Sequence, residues 1–285
     1  LSKSLENQNI TNAQQSELGN SSSYDAHYNP GRLFAISRAD KRIEIGVDPN
    51  KVPFHGFDCW NHYEVSWLNE KGKPMIALAE IVYDCKTPYL IESKSLKLYF
   101  NSFNNTRFNN SAELHSTIVH DLSARLEGDV HLRILSLKEK ELTIIQAAPR
   151  GECIDDLDVV CSVYMVEPDF LFAKGQRTKE VLYSDLLKSN CLVTNQPDWG
   201  SVQISYVGNQ INREGLLKYL VSFRNHNEFH EQCIERIFID IMKRCQPEKL
   251  SVYGRYTRRG GLDINPYRST EKIGAKGINV RLIRQ

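Results

Sequence analysis

Twice along this chain an alternating apolar run is followed by apolar residues at helical spacing and then by another strand-like run. In the first half Tyr63-Glu64-Val65-Ser66-Trp67 alternates, and Leu96-Lys97-Leu98-Tyr99-Phe100-Asn101-Ser102-Phe103-Asn104 reads as a second strand-like stretch. Leu114, Ile118, Leu122 and Leu126 then recur at helical spacing, and His131–Leu135 closes the unit. In the second half Val202–Tyr206 and Leu217–Asn225 take the strand positions. Phe229, Cys233, Ile237 and Ile241 make the stripe, widened by Ile234 and Phe238, and Leu250–Tyr253 follows. A period of two marks a half-buried strand and one near 3.6 marks a helix. The predicted order is therefore strand, strand, helix, strand, repeated once. Asn110 with Glu113, and Asn225 with Glu228, suit helix starts, and Pro247 lies just past the second helix.

A polar tail, residues 1–28, precedes the first module at 29–140. A connecting segment, 141–185, leads to the second module at 186–285. Turn signals at Arg150-Gly151-Glu152-Cys153 and Glu167-Pro168-Asp169 punctuate the connection, and Tyr183–Lys188 is predicted to be a short helix. A formal net charge of +1 gives no global attraction to nucleic acid or membrane, so an anion site must come from a local cluster. The tail lacks the apolar core of a signal peptide, and no apolar run is long enough for a transmembrane helix. The seven cysteines are odd in number and form no CxxC pair, which argues against a disulfide framework and for a reducing cytoplasm. No cysteine pair has metal-ligand spacing, and neither GxGxxG nor GxxxxGK occurs.

Four clusters could carry chemistry. Cys191 and Asp198 lie seven residues apart in the polar, turn-rich segment Ser189–Gly200. A cysteine is usually a buried hydrophobe, but these polar neighbours suggest an accessible thiol. Asp198 is either a turn residue or a carboxyl kept protonated by burial against Trp199. Cys59, beside Trp60 and His62, is the weaker nucleophile, and Cys233 on the helical stripe is core. Glu92-Ser93-Lys94-Ser95-Leu96-Lys97 is an edge strand of alternating charge or the mouth of a packed sheet. In Phe229-His230-Glu231 the acid suits the first turn of a helix and equally a ring-reading carboxylate. Gly254–Gly261, with Arg255, Arg258 and Arg259 among glycines, is a solvated turn or a place where backbone approaches phosphate.

Together these clusters resemble the NADPH-dependent 7-cyano-7-deazaguanine reductases, the nitrile reductases of queuosine biosynthesis, in their long two-module form. Phe34–Arg38, Arg150–Cys153 and Asp263–Arg268 add to the resemblance, which runs from about residue 30 to the end. It implies an α+β fold of tandem tunnelling-fold modules, antiparallel sheets with helices packed on one face, in a homodimer. It implies that Cys191 forms a covalent thioimide with the nitrile and Asp198 donates a proton. Glu92, Ser93, Lys94, Phe229, His230 and Glu231 would bind the deazaguanine. Lys94, Ser95, Arg258, Arg259 and Gly260 would bind NADPH, without metal or nucleic acid. The residues alone leave two other readings open, a cysteine hydrolase of nitriles or amides and a non-catalytic purine-binding protein.

Overall fold

The computed structural model describes residues 24–139, 145–275 and 277–285. Most of the expected tail and residues 141–144 of the expected connection lie outside the described residues. Tyr28, expected in the tail, stacks on Phe103 at 5.4 Å and donates to Asp121 Oδ2 at 2.6 Å, so attachment to the core begins there.

The first half contains β1 (Ala35–Ser37), α1 (Ala39–Glu44), β2 (His55–Leu68), β3 (Pro74–Asp84), β4 (Tyr89–Ile91), α2 (Ser93–Asn101), α3 (Ser111–Leu126) and β5 (Val130–Leu135). Two short strands follow, β6 (Ile145–Gln146) and β7 (Glu152–Cys153). The second half contains β8 (Ala173–Asn190), β9 (Pro197–Ile211), α4 (Arg213–Ser222), α5 (His230–Cys245), β10 (Lys249–Tyr256), β11 (Leu262–Ser269) and β12 (Arg281–Leu282).

The expected helical stripes are present. Leu114, Ile118, Leu122 and Leu126 are buried along α3, and Cys233, Ile237 and Ile241 along α5. Asn110 caps α3 by accepting from Glu113 N at 2.9 Å. The start of α5 differs from expectation. Phe229 is its cap residue, with Gln232 Oε1 accepting from Phe229 N at 3.3 Å, while Glu228 pairs with Arg236.

The two other runs expected as strands are helices, α2 and α4. Leu96, Tyr99, Phe100 and Phe103 fit i, i+3, i+4, i+7 as well as Leu96, Leu98 and Phe100 fit alternation. The tie is broken by capping. Glu92 accepts from the backbone N–H of Lys94 and Ser95, and Asn212 accepts from Gly215 N. Both halves thus share a strand, strand, helix, helix, strand succession, β2, β3, α2, α3, β5 (with the short β4 before α2) and β8, β9, α4, α5, β10. Tyr183–Lys188, expected as a helix, lies in β8, paired with β9 around a bulge between Ser184 and Leu187. Residues 173–185, expected to connect the halves, are strand.

Eight strands form one sheet in the order β5-β3-β2-β11-β10-β9-β8-β7. Its pairings are antiparallel except that of β7 with β8. β11 pairs with β2 from Leu262↔His62 to Ser269↔His55 and so joins the halves. Helices α2 and α3 pack on the strands of the first half, in a core that also takes Leu262 and Ile264 from β11. Helices α4 and α5 pack on β8–β10, in a core that takes Ile45, Val47 and Phe54 from the first half. The junction is further pinned by buried ion pairs. Arg268 bridges Asp58 and Glu235, Arg38 reaches Asp58, and Arg42 reaches Glu235. Charges taken out of water need such mutual pairing.

Candidate active site

β8 and β9 end in a tight tip. Cys191 N donates to Gln196 O at 2.9 Å, Asn195 N donates to Cys191 O at 3.1 Å, and Asn195 takes a left-handed φ of 56°. The turn-rich segment is therefore only 191–196, and Asp198 stands on β9 opposite Ser189. The base of the tip is tied to the lead-in of α5. Asn190 N donates to His226 O at 2.8 Å, and Glu228 N donates to Asn190 O at 3.1 Å. Those two bonds carry Cys191 to the first turn of α5, where Phe229, His230 and Glu231 begin the helix.

The third wall comes from the connection between β10 and β11. Arg259 N donates to Leu262 O at 2.8 Å, with Gly260 and Gly261 between them at φ 61° and 78°. Two successive left-handed residues make a hairpin turn that suits glycine. The turn aims Arg259 at Asp198, and its Nη1 donates to Asp198 Oδ1 at 2.6 Å. His230 Nε2 lies 3.3 Å from Asp198 Oδ2, close enough for charge attraction but off line for a hydrogen bond. The His230 ring is stacked on Tyr256 at 3.9 Å.

These pieces enclose a cavity of about 20 Å³ lined by Cys191, Asp198, Phe229, His230, Glu231 and Arg259, with Ser93 from the first half. Trp60, Ile91 and Ile264 complete the lining. Sequence reasoning did not assign these three; strand alternation places Trp60 and its partner Ile264 on the helix-covered face. Buried Trp60 Nε1, His230 Nε2 and Glu231 Oε1 all lack hydrogen-bond partners. Unpaired buried polar atoms are costly, so their convergence fits a polar ligand. A far larger cavity, about 1420 Å³, lies against β3, β5 and the Lys272–Arg281 stretch. Neither Cys191, Asp198 nor Glu231 lines it, so the chemistry points to the small one.

Two expectations are corrected by this geometry. Cys191 is 3% exposed, not an accessible surface thiol. Asp198 is not kept protonated by Trp199, which points away on β9 and is 39% exposed. Burial pushes the Asp198 carboxyl up, but neighbouring His230 and then Arg259 outweigh it and hold the group below its ordinary value. Glu231 behaves oppositely: burial, with Asp58 nearby, pushes it up to about 7. Cys59 and Cys233 are buried, and burial raises both thiols well above the usual range.

A family model described as nitrile reductase, 7-cyano-7-deazaguanine-reductase N-term, matches residues 24–134. A second, described as QueF-like protein, matches residues 197–275. The chain is 66% identical over 278 residues to the NADPH-dependent 7-cyano-7-deazaguanine reductase of Legionella pneumophila strain Lens, covering 98% of this chain and 97% of the relative. Identity to the reductase of the same name from strain Paris is 63% over 287 residues, all of both chains. With that of Delftia acidovorans it is 54% over 280 residues, 95% of this chain and 99% of the relative.

The chain belongs to the 7-cyano-7-deazaguanine reductase family. Other residues that the family resemblance singled out fall around the pocket rather than in it. Glu92 caps α2 with both carboxylate oxygens, and burial raises its carboxyl more than those bonds lower it. Ser95 is buried, its hydroxyl donating to Glu92 O and accepting from Phe34 N. Arg258 turns away from Asp198, stacks over Tyr63 at 4.1 Å and donates to Gln285 O.

The glycine turn fits the nicotinamide dinucleotide that these reductases require. A Cβ at Gly260 would stand 3.0 Å from Lys97 Nζ, so that ammonium lies close against the turn, whose φ of 61° favours glycine. Lys97 and Arg259 thus flank the exposed Gly260, a cationic setting that suits a phosphate. The Glu64 carboxylate against Gly261 bounds this cationic patch on one side. Among the described residues no helix is long and apolar enough to cross a membrane.

Proposed function

We infer that this chain reduces the nitrile of 7-cyano-7-deazaguanine to the aminomethyl product with NADPH, in the pathway to queuosine. We further propose that Cys191 carries the substrate as a thioimide. The supporting observation is that one cavity brings together a thiol, a carboxylate held down by its cationic neighbours and a second carboxyl with an unpaired oxygen.

The depressed Asp198 carboxyl alters the expected proton path. As a carboxylate, Asp198 accepts the Cys191 proton, and the thiolate adds to the nitrile carbon. One C–S bond forms, one C≡N π bond breaks, and the proton passes from Asp198 to the nitrogen. The net step is addition of the thiol across the nitrile, with no change of oxidation state. Bound NADPH supplies hydride, and two hydrides are required from nitrile to primary amine. Glu231, with an oxygen unpaired, faces the amidine edge of the deazaguanine. Glu92, whose oxygens each keep a lone pair beyond the helix cap, is its partner, with Ser93, Phe229 and His230 around the ring. Lys94, Ser95, Arg258, Arg259 and Gly260 form the cofactor side. A cavity of about 20 Å³ holds roughly one water, so the walls separate to admit the bicyclic substrate.

We also read the halves as tandem tunnelling-fold modules, 29–140 and 186–285, with the strand of the second drawn back to Ala173. One family-model match falls in each half, in support of this reading. A cytoplasmic homodimer acting on a small molecule rather than on nucleic acid completes it.

The thioimide is tested by intact-protein mass spectrometry of enzyme with nitrile and no NADPH. Wild type should gain the full substrate mass and Cys191→Ala should gain nothing. Unmodified wild type at saturating nitrile overturns the covalent mechanism.

A further inference from the structure

Resting on the thioimide reading, we propose that Arg259 is a positioning residue shared between two anions. It holds Asp198 when no cofactor is bound and turns to the cofactor's phosphate when one is, so that cofactor binding changes how readily Asp198 keeps a proton.

The geometry sets Arg259 apart from the other arginines near the sheet. Arg38, Arg42, Arg255 and Arg268 are buried and multiply bonded, for example Arg268 to both Asp58 and Glu235. Arg259 has a 31% exposed side chain and, among the described residues, a single side-chain hydrogen bond, from Nη1 to Asp198. Its Nε and Nη2 make no hydrogen bond among the described residues. Its backbone is fixed by the Gly260-Gly261 turn, against which Lys97 Nζ of α2 lies. A dinucleotide phosphate seated at that turn would offer Arg259 a bidentate, doubly charged partner in place of one carboxylate oxygen. The side chain needs only to rotate, because its Cα already belongs to both sites.

Asp198 would not be left bare. His230 on α5 stays 3.3 Å from it. Lys188 on β8, Tyr256 on β10 and Cys233 on α5 feel its charge, and Cys191 and Glu231 share its cavity. Of these, Lys188 is engaged elsewhere, donating to Asn190 Oδ1 and Arg224 O. His230 acts on Asp198 more strongly but is held on α5 and stacked on Tyr256, so Arg259 is the cation near Asp198 that is placed to leave. With Arg259 in place the carboxylate is suited to take the Cys191 proton. Without it only His230 opposes burial, and the carboxyl retains a proton for the nitrogen more readily.

The test is the pH dependence of adduct formation, followed by stopped flow and mass spectrometry with redox-inert NADP⁺ present or absent. Removing a cation raises a carboxyl pKa, so the acid limb should move to higher pH. In wild type, saturating NADP⁺ should move it up by about one unit. In Arg259→Met it should already be up without NADP⁺, and NADP⁺ should add little. Arg259→Lys, which keeps a cation, should shift it less than Met. A wild-type profile unmoved by NADP⁺ that calorimetry shows to be bound would overturn the proposal. So would an Arg259→Met profile that coincides with wild type. If wild type forms no adduct, the thioimide reading fails, and this proposal with it.

Discussion

Glu92 and Glu231 both sit at helix starts, yet their surroundings differ. Glu92 caps α2, and each of its oxygens accepts a backbone N–H, from Lys94 at 2.7 Å and from Ser95 at 2.8 Å. Glu231 lies one residue into α5, is equally buried, and has Oε1 without a partner. Burial raises both carboxyls, but Glu92 spends its oxygens on the helix cap whereas Glu231 has an oxygen to offer a ligand. An acidic residue at a helix N-terminus is thus not by itself a site, and what separates the two is which backbone groups remain to be satisfied.

The largest effect that would sharpen this contrast is on substrate affinity. In a Cys191→Ala background, where binding stops at the noncovalent complex, Glu231→Gln should weaken 7-cyano-7-deazaguanine by roughly 10- to 100-fold, the worth of a charged hydrogen bond. Its thermal stability should be unchanged or higher. Calorimetry and thermal melts check both, and wild-type affinity in the variant breaks the contrast.

Next is the pH dependence. Ionised Glu231 is the form that accepts the ring's N–H groups, and its folded value is about 7 against an ordinary 4.5. Affinity should therefore fall as pH drops below about 7 and level off above it, and Glu231→Gln should flatten the curve. Stability runs the other way. A carboxyl raised on folding favours the native state at low pH, and this contribution is lost as pH rises from about 4.5 to about 7. A urea midpoint series in wild type and Glu231→Gln isolates that difference.

The smallest effect is the cap. Glu92→Gln keeps one oxygen acceptor and should cost about 1 kcal/mol of stability, with a smaller affinity loss than Glu231→Gln. If Glu92→Gln instead weakened binding more than Glu231→Gln at unchanged stability, the roles would be reversed.

Much of this was legible before any coordinates. The stripes of α3 and α5, the Asn110 cap, the strand at His131–Leu135, and the placing of Cys233 in the core all follow from spacing. The runs at Leu96 and Leu217 were misread because their apolar residues satisfy both periods, and only the capping carboxylate and amide beside them break the tie. The Asp198 environment was misread for a different reason. Trp199 is its sequence neighbour, but strand alternation sends that ring away and brings Arg259 from 61 residues on.

The sequence by itself determined the two long helical stripes, the family and the side chains available for chemistry, because periodicity and residue type are local properties. The tertiary structure alone decided that β11 closes onto β2, that Cys191 is buried, and that Asp198 is paired while Glu231 is left open. Those outcomes depend on burial and on charges far apart in the chain, and pairing in space is not encoded at any one position.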